Sequence, residues 1–282
     1  MPGANPTLRR RQLAGRLREL RKHAGLSIED AAQRLECSTA KISRIETAQR
    51  GVIPRDVRDL CEIYGIGPAE TDALMTMARE AREPGWWQAY DHRDFRLYLG
   101  LEAEASAITI YDTCAVPGIL QTARYADAII RGVLPGIREE VLKERVDARM
   151  KRQSLLHGES PPHHLVLLDE SILHRHVGGR EIMREQMERL IDTASLPRVT
   201  IQVVPFTAGA HIGFNSAFTL LEMADSRVSD VVYTESIVRM EYFEKPTELA
   251  LYREAIEHLR AVSLDPQASV ARMAEVNQKY AI

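Results

Sequence analysis

Four groups of residues in this 282-residue chain are of types and spacings that could do chemistry. They are the histidines His163, His164, His174 and His176, the loop Gly209-Ala210-His211-Ile212-Gly213, the pair Gly178-Gly179, and the cysteines Cys37, Cys61 and Cys114. A metal needs ligands that converge. His174 and His176 stand two apart, which on a helix turns them away from each other, and no HExxH run or cysteine partner accompanies them. Gly178-Gly179 precedes a helical pattern but lacks GxGxxG spacing or a Walker lysine, so it reads as a helix-starting turn rather than a phosphate cradle. The 209–213 glycines permit close backbone approach to a small molecule, and His211 would donate, accept or take up a proton there; a mobile connection between strands explains the loop nearly as well. Three cysteines without a CxxC pair support neither a disulfide framework nor a thiolate zinc site and fit a reducing compartment. Catalysis requires a nucleophile with its base, paired carboxylates or a ligand cluster. None assembles, so the chain is expected not to be an enzyme and to use no metal or cofactor.

The other chemistry is electrostatic. Residues 1 to 58 carry 13 Lys/Arg against 6 Asp/Glu, a net +7, whereas residues 59 to 282 carry 24 against 34, a net -10. A basic block joined to an acidic body is the footprint of one end docking on a polyanion. The composition, 45% hydrophobic and 27% charged, is that of an ordinary globular protein. No run approaches eighteen apolar residues, and Arg9-Arg10-Arg11 is followed by further charges rather than an apolar signal core, so a cytoplasmic protein is expected, nucleoid-associated when bound to DNA. The length implies two domains.

Leu13, Leu17, Leu20 and Ala24 form one stripe of a helix over 8–24, and Gly25 falls where a left-handed cap is wanted. Ser27 with Asp30 spells a capping box ahead of a short helix that buries Ile28, Ala31, Ala32 and Leu35. Ser38 is an N-cap for a third helix with Ile42 and Ile45 inward and Thr39, Ala40 and Ser43 on an outward face. Pro54 and Pro68 open two more helices, the first closed by Gly65. The pattern is helix, tight turn, helix inside a five-helix bundle.

The run LRELRKHAGLSIEDAAQRLECSTAKISRIETAQR resembles the helix-turn-helix of the Xre/lambda-repressor-like regulators: the Leu/Arg stripe, the Ala-Gly-Leu-Ser junction, the Ala-Ala pair and Ile42-Ser43-Arg44-Ile45-Glu46 occur in order. The resemblance implies that the third helix enters the DNA major groove, where N-terminal side chains reach base edges. Thr39 would bond a base or offer its methyl to thymine, Ala40 would make an apolar contact, and Lys41 would reach a guanine or a phosphate. Ser43 and Arg44 would touch phosphate or flanking bases, and Arg16, Arg50 and Arg55 would position the duplex through phosphates. Glu46 is expected to partner a basic neighbour, and Cys37 to fill a half-buried gap. Where many relatives clasp a phosphate with Gln in the first turn of the second helix, this chain has Ile28.

Glu83-Pro84-Gly85 predicts a boundary, giving a DNA-binding domain over 1–83 and a second domain over 84–282, with Trp86 and Trp87 at the seam or on a docking patch. Beyond it, a helix is expected through about Tyr111, a turn at Pro117-Gly118, helices over 120–130 and 137–156, and strands at 164–168, 199–204, 218–221 and 231–233. An amphipathic helix containing Ile182 and Met187 lies between the first two strands, and helices over 246–262 and 267–279 end the chain. The fold class is therefore mainly α with two domains: a five-helix lambda-repressor-like bundle, then an α+β domain whose small sheet is flanked by helices. The segments WW, LGLEAEAS, VPGILQTARYA, VPFTAGAHIGF, FTLLE and VVYTES resemble the C-terminal domain of unknown function of actinobacterial antitoxin-like, WhiJ-related regulators. That resemblance implies a second domain serving oligomerisation, partner binding or ligand sensing. Gln121, His211, Trp86 and Trp87 are its candidate contacts.

The function expected from these features is sequence-specific transcriptional regulation by a homodimer on a double-stranded operator, governed by a small-molecule effector or a protein partner. The alternatives are an antitoxin-like protein that masks a small partner encoded nearby and uses DNA only for autoregulation, and an enzyme carrying a helix-turn-helix.

Overall fold

The computed structural model describes residues 6–82, 93–158, 160–225, 228–236 and 239–281. The chain divides into two units, one of described residues up to Glu104 together with those of 223–229, the other spanning 105–222 and 230–282. Trp86, Trp87 and the Glu83-Pro84-Gly85 break lie outside the described residues.

In the first unit the caps set the helix lengths. α1 (Pro6–His23) ends where Gly25, at φ 68°, lets its own N–H reach the Lys22 carbonyl and that of Leu26 reach Arg21. α2 (Ile28–Arg34) starts on the expected reciprocal box, in which the Ser27 hydroxyl accepts from the Asp30 N–H and the Asp30 carboxylate accepts from the Ser27 N–H. The turn after α2 repeats the α1 closure without a glycine: Glu36 takes φ 52°, its N–H bonding Gln33 while that of Cys37 bonds Ala32. Ser38 caps α3 (Thr39–Glu46) through the Lys41 N–H, and Pro54 and Pro68 open α4 (Pro54–Ile63) and α5 (Pro68–Glu80). Leu13, Leu17, Leu20, Ala31, Ala32, Ile42, Ile45, Val57, Leu60, Leu74 and Ala78 share one buried cluster, against which Ile28, Leu35 and Cys37 pack partly buried. α3 is thus held from behind by two isoleucines with no exposed surface to spare. A sixth helix, α6 (Arg93–Glu102), follows.

The second unit is built on a sheet of six strands: β1 (Ala105–Asp112), β2 (His163–Asp169), β3 (Val199–Val204), β4 (Phe218–Met223), β5 (Val231–Glu235) and β6 (Met240–Phe243). Their order is β3-β2-β1-β4-β5-β6. β1 pairs in parallel with β2 (Ile110 opposite Val166), and β2 in parallel with β3 (Val166 opposite Ile201). β4, β5 and β6 are antiparallel neighbours. The crossovers carry α7 (Ala123–Val133) and α8 (Glu139–Arg152) before β2, then α9 (Ser171–His174) and α10 (Arg180–Thr193) before β3, while α11 (Pro246–Val262) and α12 (Pro266–Ala281) close the chain. Tyr111, Leu167, Val204, Phe218, Leu220, Val232, Leu249, Ile256 and Leu259 form the core between the sheet and α11. On the outer side of β3, Val203 donates to the Ser269 hydroxyl at 2.9 Å and accepts from the Leu264 N–H at 2.8 Å, so the segment leading into α12 occupies that edge.

One expectation fails here. The helix predicted through Tyr111 stops at Glu102, and Ala105 to Asp112 form the central strand. Ile108, Ile110 and Tyr111 are all buried, so β1 is covered on both faces and lacks the alternation that marks a half-exposed strand. The helix-like Leu/Glu spacing just before it masks the change of period. β6, four residues long, has no counterpart among the expected strands.

Candidate nucleic-acid interface

Thr39 and Ala40 stand exposed in the first turn of α3, with Ser43 half-buried and Arg44 exposed one turn on. The cap explains their presentation: Ser38 Oγ takes the Lys41 N–H at 3.2 Å, fixing where the helix begins, while Ile42 and Ile45 anchor the far face. Arg44 Nε donates to the Ala40 carbonyl at 3.0 Å, which lays the guanidinium along α3. Arg50 and Arg55 are exposed. Arg50 ties the following turn through its N–H to the Arg44 carbonyl at 2.9 Å, and Arg55 comes within 3.8 Å of Asp59.

Two of the expected contacts are engaged inside the bundle. Lys41 Nζ lies 2.8 Å from Asp56 Oδ2 on α4. Arg16 donates from Nε to Glu70 at 2.9 Å and also pairs with Glu19; the Glu70 bonds hold its ionisation above the ordinary arginine value against the opposing effect of burial. Reaching a phosphate would mean leaving these carboxylates. Sequence reasoning missed Asp56 because the pairing runs between helices, where spacing along the chain says nothing.

Glu46 plays the structural part expected of it. Its two oxygens accept from Arg21 Nε at 2.7 Å and Nη2 at 2.9 Å, and Arg21 Nη1 caps the Leu26 carbonyl at 2.6 Å. This fork joins α1, the α1–α2 turn and the end of α3. Ile28, the departure from the usual glutamine, is half-buried against the core and has no polar atom to offer a phosphate.

In the second unit, Gln121 is buried and donates from Nε2 to the Val116 carbonyl at 2.7 Å, while its Oε1 is sealed without a hydrogen-bond partner. His211 sits where the β3–β4 loop crosses the carboxyl end of β2, with Nε2 4.0 Å from Asp169 Oδ2 and Nδ1 buried and unpaired. Its ring meets Tyr111 edge-on at 6.2 Å and Phe214 at 6.0 Å. Burial, then the Asp169 and Asp112 charges, push the Tyr111 phenol upward. Gln121 and His211 share no hydrogen bond or ring contact among the described residues, so they are separate features. Gly179, at φ 95°, is the N-cap of α10, a helix-starting turn. Among the described residues no group of three or more His, Cys, Asp or Glu is arranged to hold a metal ion, and no helix is long and apolar enough to cross a membrane.

Comparison with known proteins gives two matches. Residues 12–74 match the family model described as Helix-turn-helix domain, and residues 95–275 match the one described as Domain of unknown function (DUF5753). No curated protein and no solved structure matches the chain.

Proposed function

The chain belongs to the DUF5753 family and carries a helix-turn-helix domain, from which we propose that it is a sequence-specific transcriptional regulator that reads an operator with α3. The helix-turn-helix match supports a DNA-binding regulator rather than an enzyme. The observation that carries the proposal is the exposed Thr39, Ala40 and Arg44 on a Ser38-capped helix whose opposite side is locked by Ile42 and Ile45. Such a helix fits the major groove with its first turn against base edges. The finer assignment places Thr39 and Ala40 on bases, Lys41 on a guanine or a phosphate, Ser43 and Arg44 on flanking bases or phosphate, and Arg16, Arg50 and Arg55 on the backbone. A homodimer would bind two half-sites and gain effective concentration that one small module lacks. The domain from residue 84 onward would bind an effector that favours one arrangement of the two reading helices, and it can shift operator affinity only by its differential affinity for those states.

Mobility shifts on genomic fragments over a range of salt concentrations test this. Thr39→Ala should relax base choice by about 1 to 3 kcal/mol. Arg50→Ala and Arg55→Ala should weaken binding to all fragments alike and flatten the salt slope by about one each. Equal, indiscriminate association of the unaltered protein with every fragment would overturn the assignment.

The antitoxin-like reading is favoured by one feature: Phe206, Ile212 and Phe214 of the β3–β4 loop are 60%, 55% and 64% exposed. Apolar residues grouped on one loop suit a protein partner. Co-purification of a small neighbouring-gene product that survives Lys41→Ala and Arg44→Ala would favour masking over DNA reading.

A further inference from the structure

Arg145, Arg149 and Arg152 recur at i, i+4 and i+7 on α8 and therefore share one face of that helix. Arg152 is 5% exposed and has contacts of its own. Arg149 is different: its Nε is buried with no hydrogen-bond partner, and no carboxylate bonds its guanidinium among the described residues. Burial first, then the charges of Arg152 and Arg145, push its ionisation down to about 10, with Glu235 alone pulling the other way.

The turn facing these side chains is shaped to them. Gly118 follows β1, and a Cβ placed there would lie 2.9 Å from Arg152 Nη1 and 3.6 Å from Arg149 Nε. The missing side chain makes room for the Arg152 guanidinium, while Arg149 Nε sits at ordinary contact distance from the same turn. Gln121, three residues on, leaves Oε1 buried and unpaired, and its carbonyl is held by Gln153 at the end of α8. Arg149 as a whole is half-buried.

We propose that Arg145 and Arg149, backed by Arg152 and the Gly118 turn, form a binding site for a small phosphate-bearing ligand. Planar guanidinium forks pair bidentately with phosphoryl oxygens, and converging cations want a ligand carrying more than one negative charge. A recessed fork selects a small anion over a duplex backbone. The site names the effector class for the regulator described above and rests on that reading for its role in control, whereas occupancy itself is measured without DNA.

Isothermal titration of the full chain with pyrophosphate, inorganic phosphate and citrate, at matched ionic strength against sodium chloride, tests the site. Saturable binding of a phosphate species is expected, weakened at least about tenfold in Arg149→Gln. Arg145→Gln, one turn earlier on the same face, should weaken it as well and guards against a folding defect in the first variant. Phosphate heats no larger than those of chloride, tighter binding of citrate than of either phosphate, or unchanged affinity in both variants would overturn the proposal. So would Arg149→Gln reducing affinity for DNA in a protein that binds neither phosphate. Phosphate binding that leaves operator affinity untouched would retain the site and remove only its regulatory role.

Discussion

The Glu46 carboxylate and the Arg21 guanidinium face each other as a closed fork, 2.7 and 2.9 Å apart, with side chains 4% and 9% exposed. Glu46 ends α3, and Arg21 also holds the Leu26 carbonyl that starts the approach to α2. Removing one member leaves the other charged and enclosed, so Glu46→Ala is expected to cost roughly 3–5 kcal/mol, and Arg21→Met with Glu46→Leu together much less. Urea unfolding of the three proteins checks this. A single variant as stable as the double one would show that leaving Arg21 charged and unpaired costs nothing.

Lys41 is tied to Asp56 at 2.8 Å, with side chains 23% and 18% exposed. On the proposed reading, Asp56→Asn removes the competing charge from beside α3 and lets Lys41 turn to phosphate. DNA affinity at low salt should rise, and the slope of log K against log salt should steepen by about one. Weaker binding with an unchanged slope would mean that Asp56 positions Lys41 for a base instead.

Glu36 occupies left-handed backbone at φ 52° in the turn between α2 and α3, a conformation that Gly25 and Gly65 adopt at the other closures of the same type. A side chain there is strained by about 1 kcal/mol. Glu36→Gly should raise the unfolding free energy by a little less than that, since glycine also loosens the unfolded chain. A lower melting temperature in the variant would place a favourable Glu36 contact above the backbone strain.

Asp112 closes β1 with its carboxyl raised from 3.8 to about 6, chiefly by burial and also by the Glu235 charge, against the opposing N–H groups of Cys114, Thr113 and Ala115. The folded value lies above the unfolded one, so between those limits the native chain keeps a proton that the unfolded chain has lost. Stability is therefore greatest below about pH 4 for this group and declines as pH rises through about 6, by up to about 3 kcal/mol. Asp112→Asn keeps an oxygen for the Thr113 N–H and should abolish that decline. Denaturant titrations at several pH values compare the two slopes, and identical slopes would rule the group out.

The bundle was legible because its boundaries are chemical. Gly25, Ser27, Ser38, Pro54, Gly65 and Pro68 each act on the backbone within a few residues, and all six mark helix ends in the structure. The strands at β2, β3, β4 and β5 were legible for their runs of branched residues. β1 was not: it is stabilised by neighbours distant in sequence on both sides, and the residues before it carry a helical period. The pairings Lys41–Asp56 and Arg16–Glu70 were hidden for the same reason, because each joins separate helices. Arg145, Arg149 and Arg152 were not singled out in the sequence, because a helical repeat of like charge reads as an ordinary solvated face until the burial of Arg149 Nε and Arg152 is seen.

The bonds that Leu264 and Ser269 make to Val203 have a consequence for assembly. They consume main-chain groups on the outer rim of β3 that another polypeptide would otherwise have to match, so that flank is blocked against recruitment of a foreign strand. A second copy joining by sheet extension would have to add beyond β6, and any pairing through the opposite flank would have to rely on helical surfaces.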